Sequence, residues 1–254
     1  MRISNANQPK LPEVNRTQPE VYPPIEAGTA PAPIPAWKRI LDVTVVLVAI
    51  PFLIPVGIII CTFIKIVSPG PALFRQLRVG HRHRRFMCLK FRTMQVNADA
   101  GVHETHWAQL VKANQPMRKL DGAGDKRVIM GGKWLRAAGL DELPQLFNVL
   151  RGDMSMVGPR PCLPSEFALF TERHKQRCSA PPGLTGLWQV SGKNKTTFEE
   201  MMELDLKYAR EKSLWLDLKI MAWTFPTIVK LIWELKIQPG IGMRPVKKCA
   251  PEMQ

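Results

Sequence analysis

The sequence predicts an α+β, predominantly helical fold tied to one face of a membrane. Its parts are a re-entrant broken helix near the N-terminus, a small α+β domain on the cytoplasmic side, and an interfacial amphipathic helix near the C-terminus. Three observations predict it. Residues 43–64 carry no charge over 22 positions and are interrupted at the middle by Pro51 and Pro55. Cations flank that run, Lys38 and Arg39 before it and Lys65, Arg75 and Arg78 after it. A second apolar segment, 214–237, mixes three tryptophans with five charges.

A chain of 254 residues with 45% hydrophobic content can bury one good core, which implies one domain or at most two. Residues 1–36 hold eight prolines and three cations balanced by three acids. With no apolar run able to serve as a signal peptide, they read as a flexible, partly extended tail. The formal charge of +15 therefore falls on residues 37–254. So basic a fold expects anionic partners: a nucleic acid, anionic lipid headgroups, or a phosphate-rich substrate. The five cysteines (Cys61, Cys88, Cys162, Cys178, Cys249) form no CxxC pair and read as reduced thiols on the cytoplasmic side.

The run 43–64 is long enough to cross a hydrocarbon core of roughly 30 Å. Pro51 and Pro55 each remove a helix donor and clash one turn back, so the helix should break there. Cations at both ends pull both toward the cytoplasm, which makes residues 37–74 a re-entrant hairpin, with a kinked spanning helix as the alternative. In 214–237 the uncharged stretch, 220–229, is too short to span. Trp215, Trp223 and Trp233 interleaved with charges suit a helix in the headgroup layer of an anionic bilayer, or one packed on a soluble core. Residues 214–254 are assigned to this helix and a C-terminal tail.

The intervening domain, 75–213, opens with the densest basic patch in the chain. Seven arginines and lysines lie between Arg75 and Arg92, with His81 and His83 and no acid. No stacking motif interleaves aromatics with the basic run, which argues against nucleic acid. Residues 86–92 alternate as a strand, with Met87, Leu89 and Phe91 on one face and Lys90 and Arg92 on the other. Two cations so spaced can hold adjacent phosphate oxygens, although a charge run is often only a solvated face. His81 and His83, or His103 and His106, lack the further partners a metal site needs.

From Leu140 the chain reads LDELPQLFNVLRGDMSMVGPRP. Pro144 suits the start of a helix, Leu143, Leu146, Phe147 and Leu150 recur on one face, and Gly152 can end it. Asp141 and Glu142 then sit just before a helix N-terminus, where an ionised carboxylate is stabilised and can bind a cation, act as a nucleophile, or simply cap the helix. The rings of Pro159 and Pro161 hold Arg160 on a stiff extended stem, ready to meet phosphate with little further loss of entropy. Arg136, one to two turns before Asp141, can supply another cation.

At these residues the chain resembles the bacterial sugar transferases, the monotopic phosphoglycosyl transferases, over roughly residues 37–240. The matching blocks are Lys38-Arg39 with Asp42, the proline-broken helix, Lys90-Phe91-Arg92-Thr93-Met94, Leu135-Arg136, 140–161, Pro182 to Val190, and Leu204-Asp205 with Tyr208 and Asp217. The chain departs from the family pattern in three places. Ile54 rather than a small polar residue precedes Pro55, His81 to Arg85 replace a glycine-containing turn, and Pro181 stands where an arginine is usual.

The resemblance implies a two-step exchange. Asp141 attacks the β-phosphorus of a UDP-sugar and releases UMP, and the covalent phosphosugar then passes to polyprenyl phosphate. It implies that Glu142 helps Asp141 place Mg²⁺ or the nucleophile, and that Lys90, Arg136 and Arg160 are phosphate ligands. It further implies a location at the bacterial inner membrane with the catalytic domain on the cytoplasmic face, a role in starting a cell-surface polysaccharide, and, as further partners, a second copy of the chain and downstream glycosyltransferases. The rival reading, from another class, is a non-enzymatic membrane scaffold that keeps the fold and binds anionic lipid or a partner transferase.

Overall fold

The computed structural model describes residues 34–96, 101–112, 114–117, 125, 127–192 and 196–237. The expected tail over 1–36 falls almost wholly outside these residues, as does the segment after 237. In chain order the elements are helix α1 (Ala36–Val67), strands β1 (Leu73–Val79) and β2 (Arg85–Phe91), and helices α2 (Gly101–Lys112), α3 (Gly132–Ala137) and α4 (Gln145–Arg151). Then come β3 (Ser155–Val157), α5 (Pro164–Ala168), α6 (Glu172–Lys175), β4 (Gly183–Thr185), α7 (Leu187–Val190), α8 (Phe198–Glu211) and α9 (Leu214–Ile237). The fold is mostly helical, with one helix, α1, long and apolar enough to span or enter a membrane.

Where two arms were expected, α1 is one continuous helix of 32 residues with Pro51 and Pro55 inside it. The reason is their spacing. Prolines four residues apart lie on one face, so the lost hydrogen bonds, to the carbonyls of Leu47 and Pro51, fall on a single stripe. That stripe is exposed, together with Phe52, Ile54, Ile58 and Ile59. The opposite stripe, Lys38, Asp42, Val46, Ile50, Leu53, Val56, Ile60 and Ile64, packs on the rest of the protein from end to end.

Lys38, counted in the sequence only as one of the cations flanking the apolar run, has a structural place inside the protein. It is fully buried, and its Nζ donates to Val157 O at 2.8 Å, the Tyr208 hydroxyl at 2.9 Å and Asp217 Oδ2 at 2.5 Å. One turn on, Asp42 Oδ1 accepts from Ser155 Oγ and Met156 N, both at 2.9 Å. The i, i+4 pair Lys38 and Asp42 thus docks the start of α1 on β3, and Tyr208 and Asp217 bring in α8 and α9. Arg39 donates to the Val149 and Leu150 carbonyls, covering the orphan acceptors at the end of α4.

Strands β1 and β2 form an antiparallel hairpin registered Leu73↔Phe91 through Val79↔Arg85. Phe86 and Cys88, on the same side of the strand as Lys90, pack against Val46, Leu146, Val149 and Met154, whereas Met87 is exposed. The covered face of β2 is therefore the one that carries Lys90. Strands β3 and β4 pair in parallel, Ser155↔Gly183 and Val157↔Thr185. Their ends approach so closely that a Cβ on Gly183 would stand 2.0 Å from Gly158 N, and one on Gly158 2.1 Å from Pro181 O. Only glycine fits at either position.

On α9, Asp217 and Ile220 are buried while Trp215, Phe225 and Trp233 are exposed, so the helix packs on the core along one face and presents aromatics on the other. Lys219 Nζ lies 4.8 Å from the Trp223 ring.

Cys61, Cys88, Cys162 and Cys178 are free thiols, while Cys249 lies outside the described residues. Burial pushes the Cys162 thiol up to about 12 and the Cys178 thiol up to about 11, and raises Cys88 as well. A thiol held protonated and buried is a poor nucleophile. Iodoacetamide at pH 7.5 is therefore expected to leave these three unmodified in the native protein and to label them after denaturation, as read by peptide mass spectrometry. Labelling of all three at the native rate of a free thiol would contradict this packing.

Candidate active site

Asp141 and Glu142 occupy a 3-10 turn, Leu140–Glu142, entered through Gly139 in the left-handed region (φ 70°). The turn leads directly into α4, whose N-cap is Pro144 and which ends at Gly152 (φ 84°), as the sequence predicts. Pro144, the N-cap residue, offers no side-chain cap of its own to α4. Of the expected apolar stripe, Leu146 is buried but Phe147 is exposed, and Val149 takes its place inside.

The two carboxylates differ in surroundings. Asp141 is 7% exposed. Glu142 is half-buried and accepts from Lys90 Nζ at 3.2 Å, which ties the turn to β2. The turn packs between β2 and α3, the helix that carries Arg136. Arg136 also acts on Asp125, whose carboxyl is held low chiefly by its hydrogen bonds to Arg127, with a smaller pull from Arg136.

Arg92 was expected beside Lys90 as a second phosphate ligand, and the structure gives it other work. It is 6% exposed, and its terminal nitrogens donate to Pro69 O at 2.8 Å and Ser68 O at 2.6 Å. The physical reason is that β2 ends at Phe91, so Arg92 leaves the strand's alternation and turns toward the carbonyls just past α1. The sequence pattern ran one residue past the true end of the strand.

Arg160 stands on its proline stem as expected, and further groups fix its guanidinium. It lies 3.4 Å from Glu166 Oε2 and 5.5 Å from the centroid of the Trp107 ring. The stem itself is anchored, because Pro159 O accepts from Gly183 N at 2.9 Å and Pro161 O accepts from Arg78 Nη1 at 3.0 Å. Arg177 donates to Arg160 O at 2.8 Å and pairs with buried Asp205. Burial pushes the Asp205 carboxyl up to about 6 despite the nearby cations of Arg177 and Arg160.

Positive charge is crowded here. Burial, and then the neighbouring Arg160, lower the Arg78 guanidinium below its usual value. Glu166, 2% exposed, is shared by Arg78 and Arg160, and its Oε2 also accepts from Leu163 N at 2.8 Å. A cluster in which cations press on one another gains from an added anion. The Cys88 thiol, on β2 between the two groups, feels the charges of Lys90, Arg78, Glu142 and Arg160 together. The structure therefore joins Lys90 on β2 to Glu142 on the turn, places Arg136 on the helix that packs on the turn, holds Arg160 on its stem against Glu166 and Trp107, and leaves Arg92 out.

Sequence reasoning missed Arg78, Trp107, Glu166 and Arg177. Arg78 was visible only as part of a basic run. Glu166 lies six residues after Arg160 but in no motif, and Trp107 and Arg177 are distant in sequence and brought to it only by folding.

The chain matches the family model described as bacterial sugar transferase over residues 34–231. It is 39% identical over 203 residues to the galactosyl transferase CpsE of Streptococcus agalactiae, covering 76% of this chain and 42% of that protein. It is 37% identical over 193 residues to the exopolysaccharide production protein ExoY of Sinorhizobium fredii, covering 75% and 84%. It is 40% identical over 200 residues to the UDP-glucose:undecaprenyl-phosphate glucose-1-phosphate transferase of Caulobacter vibrioides, covering 76% and 69%. The chain thus spans less than half of the streptococcal protein and most of the other two. The matched region contains every element from α1 through most of α9, and on that match the chain belongs to the bacterial sugar transferase family.

Proposed function

We propose that this protein transfers a phosphosugar from a UDP-hexose to polyprenyl (undecaprenyl) phosphate, releasing UMP, through a covalent aspartyl-phosphosugar intermediate at Asp141. The observation that carries the proposal is the nearly buried Asp141 carboxylate, in a turn that Glu142 ties to Lys90 at 3.2 Å and that packs on α3, the helix of Arg136. Such a group is pre-ordered for attack at an anionic phosphorus whose charge the cations offset.

In the first step an Asp141 oxygen bonds to the β-phosphorus and the bond to the α-phosphate's bridging oxygen breaks, so UMP leaves with that oxygen. In the second, a polyprenyl phosphate oxygen attacks the same phosphorus and the Asp141 carboxylate is released. No general base is needed, because both nucleophiles are already anions. Lys90 and Arg160, with Arg136, balance charge on the diphosphate.

Among the described residues no group of three His, Cys, Asp or Glu side chains converges. Adjacent Asp141 and Glu142 suit Mg²⁺, which takes one or two carboxylates and fills its remaining positions with phosphate oxygens and water. When bound it would neutralise charge on the diphosphate. Relatives named for glucose and galactose favour a hexose without an acetamido group, and ExoY's name favours a place in exopolysaccharide synthesis.

The packing of α1 supports a membrane arrangement. As a straight helix of 32 residues it would be about 48 Å long, yet Lys38 at one end and Ile64 at the other both pack on the same domain. Proline opens a helix on its own side, so the exposed Pro51–Pro55 stripe becomes the convex face turned to lipid. We therefore read α1 as entering the cytoplasmic leaflet of the inner membrane and returning, with the exposed aromatics of α9 at the same surface.

The test is direct. Purified protein is incubated with UDP-glucose or UDP-galactose labelled in the sugar and the β-phosphate, without lipid acceptor. Label on the chain together with stoichiometric UMP is expected. Absence of both, with normal turnover once polyprenyl phosphate is added, would rule out the covalent route. Absence of turnover with any UDP-sugar would favour the scaffold reading.

A further inference from the structure

Strand β2 carries Lys90, but it belongs to a sheet of only two strands, and such a hairpin holds its position weakly by itself. Its β1 side is satisfied by the ladder. On its other edge the groups that point outward include Met87 O and Leu89 N, and both are met by one side chain. Asn148 Nδ2 donates to Met87 O at 2.8 Å, and Asn148 Oδ1 accepts from Leu89 N at 3.0 Å. The Asn148 amide thus pairs with β2 as a third strand would. It is 1% exposed, so water does not compete for these bonds.

Asn148 is on α4, six residues after Glu142, and only Leu143 and Pro144 separate the 3-10 turn from that helix. Backbone bonds from Leu146 N to Leu143 O and from Phe147 N to Pro144 O, both 3.1 Å, carry the turn into the helix. One end of this unit grips β2 at Met87 and Leu89 through Asn148, and the other meets Lys90, the next residue, through Glu142 at 3.2 Å. A slip of β2 by one residue would turn Lys90 to the opposite face.

We propose that Asn148 is a positioning residue for the reaction, setting the place of Lys90 relative to the Asp141-Glu142 turn by fixing β2 against α4. It does not touch substrate. This inference rests on the functional reading above.

A double-mutant cycle on the full-length protein in detergent or nanodiscs tests it, with UMP release as the readout and melting temperature alongside. Asn148→Ala is expected to lower kcat by about ten- to a hundredfold, the cost of misplacing a group that stabilises charge, with KM for the UDP-sugar within about threefold. Lys90→Met alone should lower kcat by a similar factor. If Asn148 acts through Lys90, adding Asn148→Ala to Lys90→Met should lower kcat by less than about threefold more.

A fully multiplicative loss in the double variant, or an Asn148→Ala loss matched by the fraction of unfolded protein, would make Asn148 merely structural and overturn the inference. Should Asn148→Ala fail to fold, Asn148→Ser keeps a small donor and acceptor, and the cycle is read with it in the same way. Asp141→Asn in the same assay separates the two levels. If it keeps wild-type turnover, the reading of the site falls. If it is inactive while the cycle is multiplicative, only the role of Asn148 falls.

Discussion

Asp141→Asn is expected to lower phosphosugar transfer at least about a thousandfold, some 4 kcal/mol in barrier height, with the protein still folded. Asparagine keeps the shape of the side chain and loses the anionic oxygen that would bond to phosphorus. The turn around it should persist, because Gly139 supplies the left-handed entry and the ring of Pro144 sets a helical φ at the N-cap of α4, and neither depends on the charge at 141. The melting temperature should therefore move by only a few degrees, the shift that roughly 1 kcal/mol produces in a chain of this size. The variant should also fail to take up label from UDP-sugar in the absence of lipid. Turnover at the wild-type rate would mean that position 141 neither bonds to phosphorus nor orders the site.

Position 142 calls for a different expectation in kind. Glu142 is already paired with Lys90, and its side chain is about a third exposed. A carboxylate so engaged sets geometry and charge and is a poor nucleophile beside a neighbour whose environment is drier. This contrast, one acid nearly buried and the next bridged to a lysine, is what the adjacent letters of a sequence cannot distinguish.

Much of the site was nonetheless legible. Glycine and proline punctuation located α4 to within a residue, since Gly152 adopts the left-handed conformation that few other residues accept, and the proline ring suits a helix start. Alternation located β2, because a strand has only two faces. Its registration against α4 was not legible, because the group that fixes it, Asn148, acts through backbone atoms of Met87 and Leu89 that carry no identity in the sequence. Arg92 failed for a related reason. A strand pattern one residue too long assigns the wrong face, and nothing in the letters marks the carbonyls of Ser68 and Pro69 as its partners.

Among the charges flanking the apolar run, Lys38 has a buried partner that the sequence does not reveal, and that partner yields the second large effect. Lys38→Arg is expected to destabilise the fold severely, although it preserves charge. Lys38 and Asp217 are both fully buried, and the ammonium satisfies three acceptors on three separate elements: Val157 O on β3, the Tyr208 hydroxyl on α8 and Asp217 on α9. A guanidinium is larger and planar, and its five donors do not fit acceptors arranged around a compact ammonium. Leaving the Asp217 carboxylate buried without its partner costs about 3–5 kcal/mol, a large share of the roughly 5–15 kcal/mol that holds a domain together. Asp217→Asn strands the lysine and should cost a similar amount. If Lys38 instead served as a surface cation orienting α1 at the bilayer, arginine would replace it without loss, since topology follows the sign of the charge and not its shape. Thermal unfolding of detergent-solubilised Lys38→Arg separates the two. A drop of ten degrees or more is the order expected from the lost pair in a chain of this length. An unchanged transition would return Lys38 to the membrane surface and leave the joint between α1, β3, α8 and α9 to be held by Asp42 and apolar packing alone.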